Sequence, residues 1–230
     1  MKKRLRQLIE QGALNEIADL ASGRRRALGL LIALTFDRDP LVGWRAVEAL
    51  GAAAERIAGD NPDAVLDLLR RLYWLMSEES GGICWRSPEA MAEITRRRPD
   101  LCRDYVPIVV SLLVEMAEED LAHFRPGILW AIGRLGPVAQ GKLDEVLPAI
   151  VTCLEHPDSQ VRGMAAWCLG QCGRGELLAG RDGLLADDAP VTLYEDGQLV
   201  QTSVGELARR FTAPAPAFPS SARSATRRRW

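Results

Sequence analysis

The sequence has few of the residues and motifs on which enzymes depend. It contains two histidines in 230 residues, and His123 stands alone in a predicted turn. It lacks a glycine-rich phosphate loop, a nucleophile elbow and a His-Glu-x-x-His pair. We therefore expect no catalytic residues, no cofactor and no enzyme activity.

Long apolar runs are also missing. No stretch approaches the length of a membrane span, and the N-terminus lacks the apolar core of a signal peptide. The five cysteines are an odd number without the spacing of a disulfide framework. Reduced thiols fit this pattern best, so we expect a cytoplasmic protein without a membrane partner.

The composition is that of a globular chain. Hydrophobic residues make up 47% and charged residues 26% of the sequence, which is enough for a sizeable core. The net charge of −2 gives no strong overall attraction to nucleic acid. Positive charge is clustered in four runs, which we interpret as solvated surfaces or tails, with binding of a polyanion as the less favoured alternative. These runs are residues 2–6, 24–26, 96–98 and 227–229.

Four segments of the chain share one register. Aligning them on a residue pair that ends in arginine gives successive spacings of 41, 39 and 37 residues. The pairs are Trp44-Arg45, Trp85-Arg86, Phe124-Arg125 and Val161-Arg162. Six positions after each arginine stands a small residue, which lets neighbouring helices approach closely: Gly51, Ala92, Ala131 and Cys168. Each segment follows an amphipathic stretch, so the repeated unit is a helix, a turn and a second helix.

The repeat has a recognisable form. An acidic turn, then Val/Trp-Arg-x-x-x-Ala, then Leu-Gly resembles HEAT repeats of the PBS-lyase type over residues 24–173. The stretches 78–85 and 124–130 also resemble a group of uncharacterised bacterial HEAT-repeat proteins. The resemblance implies an all-α fold, a right-handed α–α superhelix of the HEAT or armadillo kind, and a scaffold for protein binding.

The period is lost after Gly173. Two β-rich segments flank Asp196-Gly197, which is a strong signal for a two-residue hairpin. Ser203 and Glu206 then form a capping box for a short helix. The last residues are mainly Ala, Pro, Ser and Arg, which cannot bury a core.

These signals divide the chain into four parts. We predict an N-terminal helical cap, four repeats, a β-hairpin with a short helix, and a disordered basic tail. Their bounds are residues 1–23, 24–175, 176–211 and 212–230.

The repeat arginines have two interpretations. A cation near a helix N-terminus opposes the helix dipole and needs compensation. Acidic residues precede each arginine, so we favour a stacked carboxylate–arginine ladder that fixes the register between repeats. Its predicted members are Arg45, Arg162, Asp39 and Asp158. The alternative, in which some arginines face the concave groove and hold an acidic partner, stays open.

The middle two repeats depart from the outer two. Pro88 and Pro126 closely follow the repeat arginine, so their second helices start late and leave long turns. We predict that these turns and the second-helix face bind a protein or peptide, because aromatic and arginine residues dominate interface hot spots. The predicted contacts are Trp44, Glu78, Glu79, Trp85, Arg86, Glu118, Glu119, Phe124 and Arg125. The glutamates favour a basic or neutral segment. Two alternatives remain open: turns that are merely irregular, and a core role for the aromatic residues.

A metal site is the weaker interpretation of the cysteines. Cys153 and His156 could face Cys168 and Cys172 on the next helix. Cys168, however, takes the register position of a small residue, so we favour a buried apolar role and no metal.

Two other functions are known for helical-repeat proteins. A DNA glycosylase would need a strongly basic groove, and the acidic turns argue against nucleic acid as a partner. A bilin lyase would need a partner that carries a chromophore. The oligomeric state stays open.

Overall fold

The computed structural model describes residues 1–76, 86–115 and 122–212, and most of this chain is helical. The helices are α1 (Lys2–Glu10), α2 (Leu14–Ser22), α3 (Arg25–Leu34), α4 (Pro40–Ala58), α5 (Pro62–Met76), α6 (Ser87–Arg97), α7 (Pro99–Cys102), α8 (Val106–Glu115), α9 (Arg125–Leu135), α10 (Gln140–Cys153), α11 (Ser159–Gln171), α12 (Asp182–Leu185) and α13 (Val204–Thr212). The strands are β1 (Pro190–Glu195) and β2 (Gln198–Ser203).

The helices form two layers. In the inner layer each helix packs against the next, in the order α2, α4, α6, α9, α11 and α13. The outer layer consists of α1, α3, α5, α8 and α10, each packed against at least one inner helix. This stack of helix pairs is an α-solenoid, and it confirms the fold class predicted from the repeat register. No helix in the described ranges is long and apolar enough to cross a membrane.

The inner helices begin where local signals place them. The side chains of Asp39 and Asp158 accept hydrogen bonds from the backbone amides two residues later, at 2.9 and 2.8 Å, and so cap α4 and α11. Proline lies in the first turn of α6 and of α9, which therefore begin only at Ser87 and Arg125.

Close packing of the inner helices depends on the small residues of the repeat. A Cβ atom on Gly51 would lie 2.6 Å from Cγ of Glu93, so the absence of a side chain on α4 makes room for a glutamate of α6. Glu93 is 0% exposed. Its carboxylate accepts from Nε of Arg97 at 2.8 Å and from Nε of Arg134 at 2.7 Å.

The arginine run at residues 96–98 was predicted to be a solvated surface, and the structure corrects this prediction. Arg96 also reaches Glu93, with its Nη2 at 2.9 Å from Oε1. Arg96 and Arg97 both reach Glu93 because residues three and four apart on a helix lie next to each other. Two members of the run therefore neutralise a buried carboxylate.

The predicted hairpin is confirmed. Its strands are antiparallel, with Glu195 opposite Gln198 across the turn. Asp196 and Gly197 have positive φ angles of 49° and 74°, as a tight hairpin turn with this residue pair requires. The capping box then forms around Ser203, and α13 begins at the next residue.

The position of the hairpin is the main departure from expectation. It does not follow the array as a separate unit, because β1 packs on α11 and the turn reaches α4. There Nε of Arg45 donates to the carbonyl of Gly197 at 2.8 Å. The hairpin therefore crosses the inner layer. The flanking helices α2 and α13 pack on α4 and α11, so both extend that layer, and the predicted tail lies outside the described residues beyond Thr212.

A candidate binding cleft at the N-termini of the inner helices

An open cleft of about 570 Å³ lies where the N-terminal ends of α4, α6, α9 and α11 meet the hairpin. Trp44, Glu89 and Gln160 line it from three of these helices. The hairpin contributes Thr192 and Leu199. Inner helices, turns and hairpin thus all contribute to one cavity, which we call the cleft.

Three predicted contact residues meet in the cleft. They are Trp44, Arg86 and Phe124. The guanidinium carbon of Arg86 lies 4.2 Å from the ring centroid of Trp44, which is a cation–π contact. The same indole stacks on Tyr194, with centroids 5.2 Å apart and planes at 7°. Trp44 is therefore both a wall of the cleft and part of the core beneath the hairpin.

Arg86 has an unusual backbone. Its φ of 68° is in the left-handed region, which costs free energy for a residue other than glycine. Such strain is often stored at functional sites. Burial lowers the pKa of the Arg86 guanidinium, and the charge of Glu89 opposes that shift.

Glu89 is the residue that sequence reasoning missed. It is only 6% exposed, and in the described part of the chain no hydrogen bond or ion pair joins its carboxylate to another residue. The carboxylate rests on the first turn of α9, where a Cβ on Gly127 would collide with it. Burial raises the pKa of Glu89, while the positive charge of Arg86 acts in the opposite direction.

The repeat register contains a signal that could have found this residue. Glu48 and Glu89 both stand three positions after a repeat arginine. On α4, the Glu48 carboxylate accepts the hydroxyl of Tyr194 at 2.7 Å. In these two repeats the register thus places a carboxylate at the same position of the inner helix, and the partner of that carboxylate differs.

The two outer repeat arginines bind main-chain carbonyls. Arg45 donates to Glu10 at 2.7 Å as well as to the hairpin turn. Arg162 donates to His156 at 2.7 Å and pairs with Asp187 at 2.8 Å. The carboxylates of Asp39 and Asp158 instead accept hydrogen bonds from backbone amides in the first turns of α4 and α11. The arrangement therefore differs from the expected carboxylate–arginine ladder, because Arg45 and Arg162 bond to other groups and Asp39 and Asp158 cap helices.

Of the remaining predicted contacts, only Arg125 belongs to the described residues. Arg125 does not line it, and its charge acts instead on Cys153 of α10, where it opposes the rise in thiol pKa that burial causes. The other predicted contacts lie outside the described residues: Glu78, Glu79, Trp85, Glu118 and Glu119.

The cysteines considered as metal ligands are buried. In the described ranges no group of three or more His, Cys, Asp and Glu side chains is arranged to hold a metal ion. A hydrogen bond with Cys172, together with burial, raises the pKa of Cys168. A protonated thiol packs as a small apolar group, in keeping with its register position.

The raised pKa of Glu89 predicts a pH-dependent stability. Its folded-state pKa lies above the unfolded value of 4.5, so the ionised carboxylate costs stability once the pH exceeds that value. We expect Glu89→Gln to be more stable than wild type at pH 8, because the buried charge is removed. The difference should vanish near pH 4.

Urea unfolding of both proteins from pH 4 to pH 8 measures this difference. Glu176→Gln changes an exposed carboxylate in the same way and is the matched control. If the free energy of unfolding of Glu89→Gln differed from that of wild type by the same amount at pH 4 and at pH 8, the prediction would be contradicted.

The alternation of inner and outer helices defines the chain as an α-helical-repeat protein. Residues 122–171, which contain α9, α10 and α11, match the model of the HEAT-like repeat family. This part of the chain is thus similar to HEAT-like repeats, as the sequence pattern indicated.

Similar proteins come from archaea and from design. An uncharacterised protein of Archaeoglobus fulgidus is 29% identical over 110 residues, which are 48% of this chain and 54% of that relative. The chain therefore spans about half the length of this curated relative. A HEAT-like repeats protein from Thermococcus onnurineus NA1 is 18% identical, with 92% of this chain and 95% of that chain covered and a TM-score of 0.37. A designed armadillo repeat protein in complex with the peptide (KR)4 is 18% identical, with coverage of 91% and 99% and a TM-score of 0.45.

Proposed function

We propose that the chain is a non-enzymatic interaction module that binds a neutral or basic polypeptide segment in the cleft. The observation that carries the proposal is the carboxylate of Glu89, which is buried beside Trp44 and Phe124 without a hydrogen-bond donor among the other described residues. A buried carboxylate of this kind gains most from a donor that a ligand supplies.

The chemistry of the cleft favours a lysine or arginine side chain as that donor. A charge-assisted hydrogen bond to Glu89 would be stronger than a neutral one. The aromatic rings of Trp44 and Phe124 add a surface on which a cation is attracted. Arg86 weakens the preference for a cationic side chain, because its own positive charge lies in the cleft. Neutral hydrogen-bond donors are therefore expected to bind as well.

The inner layer gives no support to a nucleic-acid groove. Two of its basic residues, Arg97 and Arg134, both pair with Glu93. A groove that tracks phosphates needs positive charge that is free to replace counterions. A protein or peptide is therefore the partner that we propose.

A peptide display selection tests the proposal. Three libraries of ten-residue peptides share random flanks and carry lysine, glutamine or glutamate at the central position. We expect the lysine library to be enriched most and the glutamate library at least about tenfold less. Equal enrichment of the three libraries, or no enrichment, would exclude the cleft as an acidic receptor.

Affinities of the best lysine-centred peptide then assign the site. Glu89→Gln should weaken binding by about 10- to 100-fold, the usual effect of losing a hydrogen bond to a charged group. Phe36→Ala removes an aromatic residue of the cleft that is 46% exposed, and it should also weaken binding. Trp74→Ala is its matched control, because Trp74 is 59% exposed and does not line the cleft. Equal affinities of the Phe36 and Trp74 variants would place the peptide elsewhere.

A further inference from the structure

The two edges of the hairpin differ in how their backbone groups are used. Along the outer edge of β1, side chains of the inner helices take the place of a neighbouring strand. The amide and carbonyl of Thr192 both bond to the side chain of Gln160, each at 2.8 Å. The carbonyl of Tyr194 accepts the indole N–H of Trp130 at 3.0 Å. The edge of β1 is therefore closed.

The opposite edge follows from the pairing register. In an antiparallel pair, residues that face each other either bond to one another or both point away. Thr192 lies opposite Gln201, and Tyr194 lies opposite Leu199. Since the backbone groups of Thr192 and Tyr194 point away from β2, those of Leu199 and Gln201 point away from β1. In the described part of the chain, none of these outward groups on β2 has a hydrogen-bond partner.

The edge of β2 also lacks the usual protection against strand addition. Natural proteins place charged residues or proline on exposed edges, and the sequence of Gln198–Ser203 contains neither. Gln201 is exposed, and Leu199 is half-buried and lines the cleft. An unpaired and uncharged edge therefore runs beside the cavity that contains Glu89.

We propose that the partner segment binds as an added β-strand along β2, hydrogen-bonded to the backbone of Leu199 and Gln201. This inference rests on the proposed function of the cleft and specifies the conformation of the ligand. An extended segment presents every second side chain to the same face, so it can place a basic residue over the cleft while its backbone pairs with β2.

A peptide fits this edge better than a second copy of the chain. The β2 strand of a second copy is part of a hairpin that is anchored to its own inner helices by Tyr194 and Gln160. A second copy would therefore bring its own inner layer together with the strand, whereas a peptide brings only the strand. The cleft, with a volume of about 570 Å³, instead offers room for individual side chains beside the edge.

Amide hydrogen exchange measured by NMR tests the inference directly. In the free protein, the amides of Leu199 and Gln201 should exchange rapidly, while those of Val200 and Thr202, which pair with β1, should be protected. The selected lysine-centred peptide, at saturation, should slow Leu199 and Gln201 at least about tenfold and leave Val200 unchanged. Protection of Leu199 and Gln201 already in the free protein would overturn the inference, as would rates that binding does not change.

A proline substitution gives the matching affinity experiment. Gln201→Pro removes the outward N–H and is compatible with an edge strand, whereas Gln201→Ala removes the same side chain but keeps the N–H. We expect the peptide to bind about tenfold more weakly to the proline variant than to the alanine variant. Equal affinities would overturn strand addition. So would a dimer in sedimentation that Gln201→Pro dissociates, since the edge would then belong to a second copy.

The two proposals fail in different ways. Suppose that Glu89→Gln loses affinity for the peptide, while peptide binding to the wild-type protein leaves the exchange rates of Leu199 and Gln201 unchanged. The cleft would then remain the binding site, and strand addition would be rejected. A selection in which no peptide is enriched would reject both.

Discussion

Glu93→Gln is expected to destabilise the protein by about 3–5 kcal/mol, the usual cost of removing one partner from a buried ion pair. Glu93 is 0% exposed and is the shared acceptor of Arg96, Arg97 and Arg134. Without its charge, three guanidinium groups in the inner layer lose their common counter-charge. For a chain of this size the melting temperature should fall by roughly 6–20 °C, measured by circular dichroism.

Glu55→Gln is the matched control for this substitution. Glu55 also pairs with Arg97, at 2.8 Å, but its side chain is 52% exposed. Solvent-exposed ion pairs contribute about 1 kcal/mol or less, so this variant should remain close to wild type. Similar losses in the two variants would show that burial of Glu93 is not what stabilises the inner layer.

The stability difference between wild type and Glu93→Gln should also depend on pH. Burial alone would raise the pKa of Glu93, but the charge of Arg134 and the hydrogen bonds from Arg96 and Arg97 lower it below 4.5. A lowered folded-state pKa contributes stability that is present above the unfolded value and is lost as the pH falls through the folded value. The gap between wild type and Glu93→Gln should therefore narrow below about pH 4.5. If the difference in free energy of unfolding stayed constant down to pH 3, the ionised carboxylate of Glu93 would not be its cause.

The sequence was most informative where structure depends on nearby residues. Prolines placed the starts of α6 and α9, and the pair Asp196-Gly197 placed the hairpin turn, because such signals act within a few residues. The small residue six positions after each repeat arginine identified the inner helices for the same reason. All of these features are properties of a single helix or turn.

The position of the hairpin could not be read in this way. It depends on contacts such as that between Arg45 and Gly197, which are 152 residues apart in the chain. Neither residue carries a local sign of the other. The hairpin was therefore predicted correctly as an element, while its place across the inner layer was not foreseen.

The candidate site illustrates the same limit. Trp44, Arg86 and Phe124 were found because aromatic and arginine residues share a register. Glu89 shares a register with Glu48, but whether a carboxylate at this position has a donor is decided by Tyr194, far along the chain. A periodic pattern marks equivalent positions in the repeats, and it does not show what approaches each one from elsewhere.

Tyr194→Ala is expected to destabilise the protein by about 3–5 kcal/mol, as large aromatic-to-alanine changes in a core do. Tyr194 is 3% exposed, and its side chain holds the hairpin to the inner layer in two ways. Its ring stacks on Trp44, and its hydroxyl donates to Glu48 at 2.7 Å. Alanine removes both, and we expect the hairpin to separate from α4. Because the hairpin forms one wall of the cleft and carries the β2 edge, peptide binding should be lost with it.

Tyr194→Phe separates the two contributions. Phenylalanine keeps the ring on Trp44 and removes only the hydroxyl, so the carboxylate of Glu48 loses the hydrogen bond from Tyr194, at a cost of about 1–2 kcal/mol. Urea unfolding gives the stability of both variants, and near-ultraviolet circular dichroism reports whether the indole of Trp44 keeps its packed environment. We expect the phenylalanine variant to retain that spectrum and the affinity for the peptide, and the alanine variant to lose both. If the two variants were equally destabilised, the hydrogen bond to Glu48 rather than the aromatic stack would hold the hairpin across the inner helices.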